Sequence, residues 1–505
     1  MKNELIKQHD INQIAWSVCD TFRCAMNTDD YKEYILVMLF LKYVSDVWND
    51  WYSTYQHQYG DDNIPWIQQK LERDCFTLPK GCRFYDIYDR RDDPNIGVII
   101  NDALAAIEWS NNEKLAGVFR NIDFNSDRNF GKKEDRHRRL KILLEDFNKP
   151  QLDLRPSRIS GDVIGNTYMY LIDRFSCNAG KKSGEFYTPH KVSELIANLS
   201  RPKAGARICD PSCGSGGLLI EAAKVVGSQD YSLYGMEVNG NTWALCRMNM
   251  FLHGVNSARI DWCNTLTDPT LVEEGRLMTF DNIVANPPFS LDKWGADNAG
   301  SDAFNRFWRG LPPKSKGDYA FISHMVESVV EKKGRIVVVV PHGVLFRRAA
   351  EGRIRTSLIQ ENLLDAVIGL PSNLFSTTTT SVAILILDRS REKGAVNENQ
   401  TDVLFIDASH GYESGKNQNI LLDSHMNMIL KTYENRQCVP KYAHLASFDE
   451  LKSNDFDLSI THYVARAKKA PPTNIGLFQT NIHRIERELV DIRARKDMAL
   501  KELVE

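Results

Sequence analysis

Arg207-Ile208-Cys209-Asp210-Pro211-Ser212-Cys213-Gly214-Ser215-Gly216-Gly217, residues 207–217, joins a short apolar run to a helical pattern through a glycine-rich turn. Strand, turn and helix in this order open a βαβ unit, and the glycines let the backbone come close to a bound ligand. Dinucleotide and phosphate sites use the same device, so the turn alone does not decide the ligand. Its flanks narrow the choice. A phosphate loop carries Lys after its glycines, and none stands here. An acidic residue, Asp210, leads the turn, and a carboxylate at a strand end suits the ammonium group of an amino-acid ligand.

Outward from this turn the same alternation continues. Short β-type runs occur at 207–209, 232–236, 282–285, 335–340, 363–368 and 382–387, with helical stretches at 218–226, 242–253 and 319–331 between them. Strands alternating with helices predict an α/β fold with a Rossmann-like, mainly parallel sheet, beginning near residue 183. Residues 388–470 are less periodic and extend or brace that sheet. Upstream, 1–165 reads as helices: Ile35, Met38, Leu39, Leu41, Lys42 and Val44 lie in an apolar-rich segment without strand alternation, and 140–147 is another. Downstream, Lys468-Lys469-Ala470-Pro471-Pro472-Thr473-Asn474 is a linker by composition. Beyond it Phe478, Ile482, Ile485, Leu489, Ile492, Ala499 and Leu503 fall on a heptad seam interrupted by Lys496. The expected domains are a helical N-terminal domain (1–165), the α/β domain (166–470) and a C-terminal amphipathic helix (471–505), which packs either on the chain's own body or on a partner.

The chain has 505 residues, 42% of them hydrophobic and 26% charged, enough for a large core in a soluble globular protein. No apolar run approaches the roughly 18 residues of a membrane helix, and the polar N-terminus has no signal-peptide core. The ten cysteines are scattered, and the close pair Cys209 and Cys213 has no second pair beside it, so no metal site is expected. Reduced thiols and a cytoplasmic location follow. The net charge of −3 is unusual for a protein that grips nucleic acid alone. Residues 131–141 hold six basic residues against two acidic ones, as either a solvated helix face or a phosphate contact.

Two further strand ends carry chemistry. Glu237 closes the second strand at Gly235-Met236-Glu237-Val238-Asn239, where a carboxylate can bind ribose hydroxyls. Asn264-Thr265-Leu266 stands where a third strand would end, beside the adenine edge of a nucleoside ligand. Asn286-Pro287-Pro288-Phe289 directly follows the run 282–285, at the carboxyl end of a strand, where α/β sheets place their sites. A turn that only ends a strand accounts for the two prolines, but not for the flanking Asn and aromatic. A conjugated amino nitrogen is a poor nucleophile, because its lone pair is delocalised. Two acceptors aimed at its hydrogens, the Asn286 side-chain oxygen and the Pro287 carbonyl, would favour tetrahedral nitrogen, and Phe289 would stack on a planar substrate. These four residues alone leave a DNA base and a protein amide both open as targets.

Gly184-Glu185-Phe186-Tyr187-Thr188-Pro189, the turn at 210–217, Glu237, Asn264-Thr265-Leu266 and Asn286-Pro287-Pro288-Phe289, in this order, resemble the N6-adenine DNA methyltransferases of the gamma arrangement. The chain is most similar to the methylation (M, HsdM-type) subunit of type I restriction-modification systems. The segments 317–322 (GDYAFI), 334–347 (GRIVVVVPHGVLFR), 370–375 (LPSNLF) and 455–464 (DFDLSITHYV) support this over nearly the whole length. The resemblance implies S-adenosyl-L-methionine as cofactor and a flipped adenine in double-stranded DNA as substrate, that is, an adenine-specific DNA methyltransferase (EC 2.1.1.72). It also implies a specificity (S) subunit as partner, commonly two M per S, which a restriction (R) subunit can join. The mild acidity and the C-terminal seam agree with a subunit whose DNA grip is shared.

Carried over residue by residue, Glu185, Phe186, Tyr187, Thr188 and Pro189 line the methionine end of the cofactor. Asp210, Ser212, Gly214, Ser215 and Gly216 hold its amino-acid moiety, Glu237 its ribose, and Asn264, Thr265 and Leu266 its adenine. Asn286, Pro287, Pro288 and Phe289 hold the target base. The chain departs from the family at Asn264, where Asp is frequent, and at threonines 377–380, which replace a more glycine-containing stretch. Three other readings compete. A glutamine-amide methyltransferase of proteins uses a similar turn, usually ending in Tyr. A solitary DNA methyltransferase would need its own recognition domain. A scaffold that binds only cofactor or partners is opposed by the intact Asn286–Phe289 turn.

Overall fold

The computed structural model describes residues 5–23, 28–60, 64–159, 161–178, 187–375, 380–416, 418–464, 488–489 and 492–493. Glu185, Phe186, threonines 377–379 and the linker 468–474 lie outside the described residues. So does the C-terminal seam, except for 488–489 and 492–493, which are helical.

The N-terminal part is helical, and its helices include α1 (Gln8–Val18), α2 (Thr28–Tyr59), α3 (Ile96–Ser110), α4 (Lys133–Phe147) and α5 (Val163–Asn178). The apolar run in α2 is buried all round, as a helix without a polar face must be. Lys42 in that run is buried with it, because Asp46, one turn on, takes its ammonium. The Asp46 carboxylate also accepts from Tyr85 Oη (2.5 Å) and the Leu154 N–H (2.8 Å), so no charge is left bare in the core. The basic stretch in α4 is largely engaged by the protein itself. Arg136 pairs with Asp127, Arg138 with Asp135, Lys141 with Asp92, and Arg139 donates to the Phe130 carbonyl.

A nine-stranded sheet forms the rest. Its strands are β1 (Ala206–Asp210), β2 (Tyr231–Glu237), β3 (Arg259–Trp262), β4 (Asn282–Ala285), β5 (Arg335–Pro341), β6 (Leu364–Gly369), β7 (Val382–Asp388), β8 (Val403–Asp407) and β9 (Ala443–Ala446), in the order β9-β8-β6-β7-β5-β4-β1-β2-β3. Strands β3, β2, β1, β4 and β5 are mutually parallel. β7 runs antiparallel to β5 and β6, and β9 antiparallel to β8. The sheet is thus mainly parallel as expected, and 388–470 extends it by two strands.

Both faces are covered. In β5, Ile336, Val338 and Val340 enter one core and Val337 and Val339 the other, the period-two division of a doubly buried strand. Helix α6 (His190–Ser200) lies beside β4 and β5, α7 (Gly217–Val226) beside β1 and β2, and α8 (Gly240–Leu252) beside β2 and β3. Helix α8 serves two cores. Leu245, Met248 and Phe251 pack among the N-terminal helices, while Cys246 and Met250 pack under the sheet.

Candidate active site at the carboxyl edge of the sheet

Strand order reverses between β1 and β4, since β1 is followed by β2 on one side and neighbours β4 on the other. Such a switch point opens a crevice outside the carboxyl ends of the strands. Here the crevice is a cavity of about 430 Å³. Asp210 ends β1, Glu237 ends β2 and Asn286 follows β4, so three sequence-predicted residues reach one edge because parallel strands end together. The cavity is lined by Tyr187 and Thr188, by Asp210, Ser212, Gly214 and Ser215, by Glu237, by Asn264 and Thr265, and by Asn286 and Pro288. Five predicted residues stand outside its lining: Pro189 precedes α6, Gly216 precedes α7, Leu266 is buried, and Pro287 and Phe289 are the remaining residues of the 286–289 turn.

The turn after β1 is shaped by its glycines. Gly214 and Gly216 have φ of 54° and 84°, the left-handed region that glycine enters without strain. The Glu237 carboxylate ties this turn down, accepting the Gly214 N–H at 3.0 Å and the Asn239 N–H at 2.8 Å. Asp210 is 1% exposed and accepts the Ser212 N–H at 2.9 Å. Burial, with a smaller push from Glu237, raises its carboxyl to about 8. Near neutrality this carboxyl holds its proton, and a cation brought against it would favour the charged form and draw the value down.

The Asn264 side-chain oxygen accepts the N–H groups of Leu266 and Thr267 (3.0 and 3.2 Å) and so holds its own turn. Thr265 Oγ1 donates to the Pro211 carbonyl and fastens that turn to the glycine turn. On the other side, Asn286 is 7% exposed and donates its Nδ2 to Thr188 Oγ1 at 2.8 Å. This leaves Oδ1 buried with no hydrogen-bond partner among the described residues. Buried polar groups are normally hydrogen-bonded, so this acceptor is open to a donor from a ligand or a water. Phe289 meets Phe375 edge-on, ring centroids 6.1 Å apart. The next residue, Ser290 (φ 50°), donates its N–H to Asp318 Oδ1 at 2.7 Å, and Arg347 spans Asp318 and Ser290.

The N-terminal helices contribute wall that the sequence pattern did not signal: Lys32 and Leu36 from α2, and Ile172, Phe175 and Ser176 from α5. Nothing in a helical apolar pattern distinguishes a residue facing a cavity from one facing the core.

A mainly parallel sheet with a crevice at its switch point is an α/β ligand-binding fold, and comparison with known proteins identifies it as that of a methyltransferase. The model of the N-6 DNA Methylase family matches residues 159–471, and that of the HsdM N-terminal domain matches residues 11–147. The chain is 28% identical to the type I restriction enzyme MpnII methylase subunit of Mycoplasma pneumoniae, over 98% of this chain and 96% of that one. It is 30% identical to the HindI methylase subunit of Haemophilus influenzae, over 74% and 84%. The solved type I restriction-modification methyltransferase subunit of Streptococcus thermophilus superposes with a TM-score of 0.80 at 32% identity, covering 90% of this chain and 99% of that one. The chain belongs to the N-6 DNA methylase family and is a catalytic methylation subunit of the type I kind. Among the described residues, no helix is long and apolar enough to cross a membrane.

Proposed function

We propose that this chain methylates the N6 amine of adenine in double-stranded DNA, using S-adenosyl-L-methionine, as the site-specific adenine methyltransferase of a type I complex. The observation that carries the reading is the buried, partnerless Oδ1 of Asn286 beside the cavity led by Asp210. The cofactor fits that cavity chemically. Asp210 takes its ammonium, the backbone of Gly214 and Ser215 admits its amino-acid moiety, and Glu237 accepts from its ribose hydroxyls. Because the Asn264 oxygen is already engaged twice, its amide NH2 is the group left to donate to an adenine ring nitrogen. When bound, the cofactor supplies an electrophilic methyl on a sulfonium.

The protein's part is positioning and electrostatics. Asn286 Oδ1 accepts one hydrogen of the flipped base's amine, and the Pro287 carbonyl, its direction fixed by the proline ring, accepts the other. Their joint pull localises the nitrogen lone pair and aims it at the methyl. No strong base acts beforehand, since the nitrogen becomes acidic only as the new bond forms. Phe289 stacks on the extruded base. A specificity subunit selects the sequence, and two methylation subunits serve one specificity subunit in an assembly that a restriction subunit can join. DNA as substrate places this work in the cytoplasm.

A methyl-transfer assay on DNA, with and without a co-purified specificity subunit, tests the reading. Transfer is expected only in the assembled complex, and Asn286→Ala is expected to lower it by about 10²–10³-fold. Sequence-defined methylation by the isolated chain would sink the subunit reading, and full activity of Asn286→Ala in the complex would sink the catalytic one.

A further inference from the structure

The catalytic turn runs on into residues 290–316, a segment rich in Gly, Asp and Asn whose composition suggests mobility. Its interior is anchored instead. Trp294, 3% exposed, donates Nε1 to the Pro313 carbonyl at 2.8 Å. Gly295, at φ 98°, packs so closely on Thr267 that a Cβ would lie 2.4 Å from its Cγ2. Arg306, 2% exposed, donates Nη1 to the Thr265 carbonyl and Nη2 to the Leu266 carbonyl, both at 2.8 Å. Asp302 takes the remaining edge of the guanidinium, from Nε at 3.1 Å and Nη2 at 2.6 Å, and His324 Nδ1 lies 3.2 Å from Nη1.

Two of these three anchors land on 264–267, the turn that walls the cavity and whose Thr265 is fastened to Pro211. A buried cation is costly unless its partners need its shape. Here they do: two successive carbonyls and a carboxylate are met by one planar fork, which a lysine's single nitrogen cannot reproduce.

We propose that Arg306 is a positioning residue of the cofactor site, fixing the 264–266 turn against the glycine turn and joining that wall to the segment that continues the catalytic turn. It acts through Thr265 and Leu266. The inference rests on the cofactor reading above, in which this turn faces the adenine of S-adenosyl-L-methionine.

The test is calorimetric binding of S-adenosylhomocysteine to the full chain, with methyl transfer measured in the assembled complex. Arg306→Lys keeps the charge beside Asp302 and is expected to weaken binding about tenfold. The KM for S-adenosyl-L-methionine rises in step, with kcat at saturating cofactor within about twofold of wild type. Arg391→Lys is the structural control. Arg391 is 1% exposed and pairs with Asp365 at 2.7 Å on β6, away from the cavity, so its loss lowers the melting temperature without moving affinity. Wild-type affinity in Arg306→Lys would overturn the proposal, as would an equal loss of affinity in Arg391→Lys. Should Arg306→Lys fail to fold, Asp302→Asn loosens the carboxylate that holds the same guanidinium, with Arg306 intact. Weakened binding there supports the proposal, and unchanged binding overturns it. If the wild-type chain itself fails to bind, the cofactor reading falls, and the role of Arg306 with it.

Discussion

Thr188 and Asn286 are 98 positions apart in the chain, and their contact decides which way the Asn286 amide faces. With Nδ2 held by a hydroxyl, Oδ1 is presented as an acceptor without rotameric search. Thr188→Val removes that hydroxyl and keeps the shape. It is expected to lower kcat about tenfold, while Thr188→Ser restores it; steady-state methylation in the complex measures both. The sequence showed Asn286 because an amide beside prolines at a strand end has a chemical meaning. It could not show the contact with Thr188, since nothing in either segment names the other. Arg306 was invisible for a similar reason, because its partners on 264–266 are backbone carbonyls.

Asp210 has its own signature in pH. Burial raises its carboxyl from 3.8 to about 8, so the native protein holds this proton more tightly than the unfolded chain does. Its stabilising contribution is complete below the unfolded value and is lost as pH rises through about 8. Asp162, raised to about 6, has the same sign over a lower window. His253 and His324, lowered to about 4 and about 3, lose their contribution only as pH falls below the ordinary histidine value of 6.5. Between neutrality and pH 8.5 the fall in melting temperature of the cofactor-free protein is therefore expected to come chiefly from Asp210, and Asp210→Asn should flatten it. A scanning-calorimetry series in which the variant keeps the wild-type slope would contradict this assignment.

At the scale of elements, the turn between β1 and α7 separates two kinds of glycine. A Cβ on Gly214 meets nothing within 4 Å, whereas one on Gly216 would lie 2.5 Å from Met250 Cε and 2.8 Å from Cys246 Sγ. Both positions carry the left-handed strain, about 1–3 kcal/mol for a side chain, but only Gly216 adds a collision with the packed face of α8. Gly216→Ala should accordingly lower denaturant stability more than Gly214→Ala, and urea titration of the two variants compares them directly. The turn itself was legible, as were the six apolar strand runs, most plainly β5 and β7, which are buried on both faces and read as nearly unbroken Val, Ile and Leu. β3 and β9 were not. β3 is an edge strand in which only Ile260 is buried. β9 is four residues, Ala-His-Leu-Ala, whose place is set by antiparallel pairing with β8 rather than by local preference.

For the whole molecule, α8 packs into both the helical core and the core under the sheet. Its Met248, 1% exposed, is packed among the N-terminal helices, while its Met250, equally buried, is packed beneath the sheet. The cofactor cavity is divided in the same way, with Lys32, Leu36 and Phe175 facing Asp210 and Glu237 across it. A helix that contributes to both cores cannot lose one partner and keep the other at little cost. Met248→Ala, which opens a void only on the helical side, is expected to cost about 2–5 kcal/mol. Because the cores share α8, the whole described body should still melt as one calorimetric transition, shifted down. Binding of S-adenosylhomocysteine should raise that single transition rather than a part of it, since its cavity is built from both sides. Two resolved transitions in the variant, with only the later one moved by the ligand, would show that the helical domain is an independent attachment and that the cavity belongs to the sheet alone.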